Sequence, residues 1–537
     1  MSATACRTKM PRIVLALLAS MVTMTLPAGE PSPQARLVVG IMVDGLDNDY
    51  LELLQSRFGQ GGFNRLAREG LVLLNADYGT PVDATAATAM IFTGASPAVS
   101  GIGGAEVYDR EAHRAIGVFH DPTTIGNFTN GTYSPAALRV STLADELRVA
   151  AGGVNLVYSI APEAADAIIM AGHSGNAAIW LDRRTANWAS STFYRDMPTT
   201  VSTRNRLRPL SMRLDTMSWY PAMEPKNYPN LPDHLKHYPF RYVFPRANAA
   251  RLDMFVQSPL MSAEVTDVAV DMMDKLSMGS HDGTDMLNLS YSLQPFDYSK
   301  NSDTRVELMD SYIRLDRQLD RLFKAVDKRV GAGNSIIFLA ATPPRTRSRR
   351  DDEQWRIPYG EFSTRKALSL LNMYLMALHG NGEYVAGYHR GEFYLNHKLL
   401  KERELDPADV RDEAAAFLLR MTGVESAYTI DEIARGHAGA NAEALRRNTD
   451  LHHSGDVRIT VLPGFDLIDD YNNAPDPQRI PTAQRAVGTT APVFIMAPSM
   501  EARRIDTPVD ARRVAPTVAR LLRIRSPNAA GAPAFRD

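Results

Sequence analysis

Five apolar runs punctuate this chain, and helical periodicity fills much of the sequence between them. The first, Arg36–Val43, reads Arg-Leu-Val-Val-Gly-Ile-Met-Val and stops at Asp44-Gly45. A continuous apolar run of that length suits a strand buried on both faces. Similar runs recur at Val154–Ile160, Met286–Ser292, Ser335–Ala341 and Pro492–Ala497. The clearest helical pattern is Leu308, Tyr312, Leu315, Leu319, Leu322 and Val326, with Arg, Asp and Lys on the opposite face. Strands alternating with helices predict an α/β fold: a mostly parallel central sheet with helices on both faces.

Two stretches break the rhythm. From about 187 to 251 the chain is rich in Pro, Tyr, Asn and Arg and has little periodicity, which reads as an irregular insertion. From about 359 to 450 it carries its own helical patterns, Ala367–His379 and Asp406–Arg420, around a short strand-like Glu392–Leu395. That stretch reads as a small inserted α/β subdomain within a main domain spanning 36–530. Residues 1–29 form a separate unit. Arg7, Lys9 and Arg12 precede an apolar stretch from Ile13 to Leu26, followed by Pro27-Ala28-Gly29. The run is short for a bilayer span and fits a cleaved signal peptide, predicting an exported chain without a transmembrane anchor after cleavage.

Charge and cysteine content narrow the chemistry. Lys plus Arg number 59 and Asp plus Glu 61, so no global field favours nucleic acid or an anionic membrane. The single cysteine, Cys6, lies in the expected signal segment, and the mature chain would have neither disulfides nor thiolate chemistry.

Ligands of open α/β sheets bind beyond the carboxyl ends of the strands. Just there, the segments Val39–Gly45, Gly61-Gly62-Phe63 and Pro81–Gly94 resemble the opening of secreted bacterial alkaline phosphatases. The resemblance extends to the type I phosphodiesterase/nucleotide pyrophosphatase branch of that superfamily. It continues through Ala171-Gly172-His173, Gly175-Asn176, Tyr394–His397, Ser454-Gly455-Asp456, Pro463-Gly464 and Ala515–Ala519, in order along nearly the whole mature chain. It implies an alkaline-phosphatase-like fold and two zinc ions, about 4 Å apart, that activate a nucleophile and clamp the leaving oxygen.

The same resemblance makes the site look degenerate. Asp44 matches the family's first metal ligand. The family's threonine nucleophile falls at Ala84 and its phosphoryl-binding asparagine at Ala105. Its Lys-x-Arg pair falls at Glu163 and Ala165. The remaining ligand positions hold Pro295, Ser299, Thr342, Pro343 and Thr490. Proline offers no side-chain ligand atom, and Ser or Thr is a poor substitute for imidazole or carboxylate at zinc. These residues predict a protein without a zinc cofactor: a noncatalytic pseudophosphatase acting in binding or assembly. The alternative is a metal-dependent phosphomonoester or phosphodiester hydrolase with residual or rebuilt activity.

Few residues remain to carry a new function. Asp44, Asp83 and Asp297 would lie near one sheet edge and could form an oxygen-rich site for calcium or magnesium, although Asp before Gly commonly just ends a strand. Arg345, Arg347, Arg349 and Arg350 precede Asp351-Asp352-Glu353 where the family has an Asp-His pair. They read either as a self-neutralising solvated loop or as a binding surface for a protein, an anionic glycan or a phosphate. Trp188, Trp219, Tyr220, Tyr228, Tyr238 and Tyr242 of the irregular insertion could line such a surface. His173 reads as a packed, hydrogen-bonded histidine. The adjacent His452-His453 would point to opposite faces of an extended chain.

Overall fold

The computed structural model describes residues 35–194, 197–299, 301, 303–346, 356, 359–462, 464–470, 485–486 and 488–535. The expected signal peptide at 1–29 lies outside them. An 11-stranded sheet forms the centre. Its main strands are β1 (Leu37–Asp44), β2 (Leu71–Asp77), β3 (Val157–Ala161), β4 (Ala177–Leu181), β5 (Trp188–Ser191), β6 (Asp285–Ser292), β7 (Ser335–Ala341) and β8 (Thr490–Met496). β1 lies between β6 and β7 and runs parallel to both. β3 and then β4 extend the parallel set beyond β6, while β8 runs antiparallel to β7 and to β2.

The five apolar runs thus all enter the central sheet, and burial explains why they lack alternation. Leu37, Val38, Val39, Ile41 and Val43 are each 0% exposed, so both pleat faces of β1 are covered. Gly40 permits this packing, because a β-carbon there would lie 2.4 Å from Asn288 Oδ1 and 2.7 Å from the Phe338 ring. Three helices frame the site: α1 (Ala84–Thr93), α2 (Ala164–Ala171) and α3 (Arg305–Val330). The periodic residues Leu315, Leu319, Leu322 and Val326 of α3 are fully buried. Lys328 and Arg329 sit in its last turn, where cations oppose the helix dipole.

The Tyr- and Pro-rich insertion turns inward. Trp188, Trp219, Tyr228 and Tyr242 are buried, with only Tyr220 of the aromatic set strongly exposed. This corrects the expectation that these rings line a binding surface. The reason is a buried carboxylate on α3: Asp310 accepts from Trp219 Nε1 at 2.6 Å, Tyr228 Oη at 2.7 Å, the Ala222 amide at 2.6 Å and Arg314 Nε at 2.6 Å. Trp219 also packs edge-on against Phe296, ring centroids 5.0 Å apart. A carboxylate with four donors pulls the indole and phenol polar ends inward and their apolar bodies with them.

A second apolar cluster, including Phe362, Leu371, Tyr388, Phe393, Leu418 and Ile459, is distinct from the central one. It lies under a four-stranded sheet ordered Val385–His389, Glu392–Leu395, Val457–Val461, Val424–Thr429, with helices Thr364–His379 and Pro407–Leu419. Asp456 ties this unit to the main core. It receives Arg110 Nη1 at 2.9 Å, His397 Nε2 at 2.7 Å and the Leu395 amide at 2.9 Å. Burial alone would raise the Asp456 pKa, but the His397 bond and the Arg110 charge hold it down at about 2. No described helix is long and apolar enough to cross a membrane.

Candidate functional site

Parallel pairing of β1 with β6 and β7 brings their carboxyl ends to one edge, with Asp44 opposite Ser292 and Val43 opposite Ala341. The segments leaving these ends carry Pro295–Ser299 and Thr342-Pro343, so residues distant in sequence meet around Asp44. Thr342 is 3% exposed. Its hydroxyl donates to Asp44 Oδ1 at 2.5 Å and accepts from the Gly45 amide at 3.0 Å. Asp44 is therefore bound by a neighbouring side chain, and the turn after it is pinned. Gly45 is in the left-handed region at φ +80° and has Gln294 Nε2 against it, 2.7 Å from where a β-carbon would lie.

The other positions are equally committed. Ser299, 4% exposed, donates to Glu307 Oε1 at 2.9 Å, and Tyr242 Oη donates to the same oxygen at 2.7 Å. Burial pushes the Glu307 carboxyl above its ordinary pKa. Pro295 and Pro343 are buried. Thr490 begins β8, paired with Asp77. Glu163 caps α2 without a side-chain cap bond and pairs with Arg183, which also reaches Asp253 at 2.7 Å. Ala165 is half-buried in the same helix's first turn.

Asp83 begins α1. Its Oδ1 accepts from the Thr85 amide at 2.9 Å and from the Ala105 amide at 3.2 Å, and Arg390 Nη1 lies 2.5 Å from Oδ2. Ala84 follows as the first helical residue and presents only a methyl group. Asp297 is 1% exposed and exchanges two 3.0 Å bonds with the Gln257 amide. Asp44, Asp83 and Asp297 thus each have a different partner. Among the described residues no group of three or more His, Cys, Asp or Glu could hold a metal ion. The oxygen-rich cation site expected from this trio is not assembled, because each carboxylate satisfies a separate local donor.

The fold and family follow from comparison with known proteins. The family described as type I phosphodiesterase / nucleotide pyrophosphatase matches residues 38–489. The chain belongs to that family. Within the alkaline phosphatase superfamily it is 27% identical to alkaline phosphatase PafA of Elizabethkingia meningoseptica over 526 residues, covering 93% of each chain. It is 26% identical to alkaline phosphatase PhoV of Synechococcus elongatus, over 94% of this chain and 93% of that one. The crystal structure of wild-type PafA superposes with a TM-score of 0.82 at 24% identity, over 94% of this chain and 99% of that one. This establishes the alkaline-phosphatase-like fold.

The zinc pair expected of such a family does not fit the donors present. Of the positions that the resemblance assigns to it, Asp44 alone offers a carboxylate, and that carboxylate accepts a hydrogen bond from the Thr342 hydroxyl. Ser and Thr hydroxyls bonded to carboxylates, with two buried prolines, do not make a zinc donor set.

Sequence reasoning missed Asp166. It lies in the first turn of α2, 8% exposed, with Ser290 Oγ 3.2 Å from Oδ2 and Thr88 Oγ1 3.4 Å from Oδ1. Burial, then the negative charges of Asp44, Glu163 and Asp83, push its pKa up to about 7. An Asp at the third position of a helix is common at helix starts and gives no signal of a site. His173 is placed as expected, with Nδ1 3.2 Å from Asp145 and Nε2 2.9 Å from the Leu138 carbonyl oxygen. The Asp145 bond raises its pKa. His453 pairs with Asp450 at 2.6 Å. Arg345-Thr346 forms a short strand paired with Arg485-Ala486, while Arg347, Arg349 and Arg350 lie outside the described residues.

Proposed function

We propose that this chain is an exported member of the family that uses the phosphoesterase scaffold for binding or assembly and not for two-metal phosphoryl transfer. The observation that carries this reading is the bond from Thr342 to Asp44, in which a ligand position has become the hydrogen-bond partner of the one remaining ligand carboxylate. Ala84 supports it, since a methyl group cannot attack phosphorus. Export is inferred from the basic and apolar character of residues 1–29. The partner class that suits the arginine segment is a protein or an anionic glycan or phosphate.

A second reading is favoured by the relatives: hydrolysis of phosphoric monoesters or diesters. Two full-length curated relatives are named alkaline phosphatases, and this supports a hydrolase better than it supports a noncatalytic role. The site residues point the other way. Turnover of p-nitrophenyl phosphate and bis-p-nitrophenyl phosphate by purified protein, with and without added zinc, separates the two. The binding reading predicts no turnover above buffer. Zinc-dependent turnover abolished by Asp44→Asn would establish the hydrolase.

A further inference from the structure

The start of α1 is filled by the chain itself. An N-cap aspartate ordinarily needs one backbone donor. Asp83 gathers three donors from three segments: the Thr85 amide in its own helix, the Ala105 amide, and the Arg390 guanidinium from the inserted subdomain. Two backbone N–H groups and a guanidinium converging at a helix start form the set of contacts that an oxyanion ligand would receive. Here a carboxylate of the same polypeptide receives them, with only 18% of its side chain exposed.

The residue that delivers the cation is unusual. Arg390 and Gly391 form the two-residue turn between Val385–His389 and Glu392–Leu395, and both have positive φ, +48° and +86°. Hairpin turns of this kind favour Asn, Asp or Gly at their first position. An arginine held there is strained by about 1–3 kcal/mol. Its guanidinium passes close over Gly104, with Nη1 2.7 Å from where a β-carbon would stand, so a side chain at 104 would obstruct it. The turn, the glycine and the helix cap all serve one ion pair between residues 307 positions apart.

We propose that Asp83 is an internal plug: its carboxylate, locked by Arg390, occupies the oxyanion position at the start of α1 and keeps soluble phosphate out. The plug also fastens the inserted subdomain over that end of the sheet, since Arg390 belongs to the subdomain and Asp83 to the main core. The inference rests on the noncatalytic reading of the pocket. The two fail separately, because turnover by the wild type would sink that reading, whereas the binding data below decide the plug.

The test titrates inorganic phosphate into the full chain by calorimetry and follows phosphate-dependent thermal shifts. Wild type and Arg390→Gln are expected to show no saturable binding, because the Asp83 charge remains in place. Asp83→Ser keeps a capping hydroxyl but removes the charge and shortens the side chain. It is expected to gain saturable phosphate binding that the wild type lacks, and to lose that gain when combined with Arg390→Gln. If Asp83→Ser does not fold, Asp83→Gly opens the same space at little cost to the helix start. Phosphate binding by wild type or Arg390→Gln overturns the plug. So does a folded Asp83→Ser or Asp83→Gly without gained binding, or a gain indifferent to Arg390.

Discussion

Asp166→Asn is expected to stabilise this protein at alkaline pH and to do so less as the pH falls. Asp166 is buried, and the hydroxyls of Ser290 and Thr88 lie 3.2 and 3.4 Å from its carboxylate oxygens. Its pKa rises from the ordinary 3.8 to about 7, first through burial and then through the charges of Asp44, Glu163 and Asp83. Below about pH 4 the group is protonated in both folded and unfolded chains and contributes no pH dependence. Between about 4 and 7 the folded chain keeps a proton that the unfolded chain has lost, so stability falls as pH rises. Above 7 the full penalty is present. Roughly three pH units at about 1.4 kcal/mol each give about 4 kcal/mol as the largest effect. Asparagine has the same shape and no charge, so it removes the penalty while still accepting from Ser290. Urea unfolding of both proteins at intervals from pH 5 to 8.5 measures this, and taking the difference cancels every other titrating group. The expected difference favours the variant and grows with pH, levelling off near 7.5. A variant destabilised equally at all pH values would refute the reasoning, since Asp166 would then be ionised and well solvated in the native state.

Three further outcomes follow from other contacts. Thr342→Val leaves Asp44 Oδ1 and the Gly45 amide without their shared partner, and a loss of about 1–3 kcal/mol in chemical unfolding is expected. Asp310→Ala removes the acceptor for Trp219, Tyr228, Ala222 and Arg314. A loss of about 3–5 kcal/mol and a red shift of tryptophan emission are expected; unchanged emission would contradict the inward packing. Asp456, held at about 2 in the folded chain, contributes stability that is present above pH 4 and lost as pH falls towards 2. Asp456→Asn should therefore cost about 2–3 kcal/mol at neutral pH and expose the inserted subdomain to limited proteolysis. Equal proteolysis of the variant and wild type would argue against Asp456 as the tie.

The sheet was legible because burial on both faces leaves uninterrupted apolar runs, and those runs became β1, β3, β6, β7 and β8. The long helix was legible because one face of α3 is apolar at helical spacing. The assignment of site positions rests on the resemblance, and the structure adds the contacts those residues make: Thr342 bonds Asp44 and Ser299 bonds Glu307. What sequence could not reveal depends on long-range pairing. Arg390 reaches Asp83 across 307 positions, and nothing in the sequence points one to the other. Trp219 and Tyr228 looked suited to a binding surface because Tyr and Trp favour interfaces, yet Asp310, 91 positions after Trp219, draws them inside. Asp166 carries no mark in the sequence, and only the packing shows that it is buried near the charges of Asp44, Glu163 and Asp83.

The central claim, that the family's metal site is gone from this fold, is tested most directly by metal stoichiometry. Purified protein incubated with excess zinc, passed through a desalting column and analysed for metal should retain well under one zinc per chain, with Asp44→Asn giving the same value. Retention of two zinc ions per chain, reduced by Asp44→Asn, would contradict it.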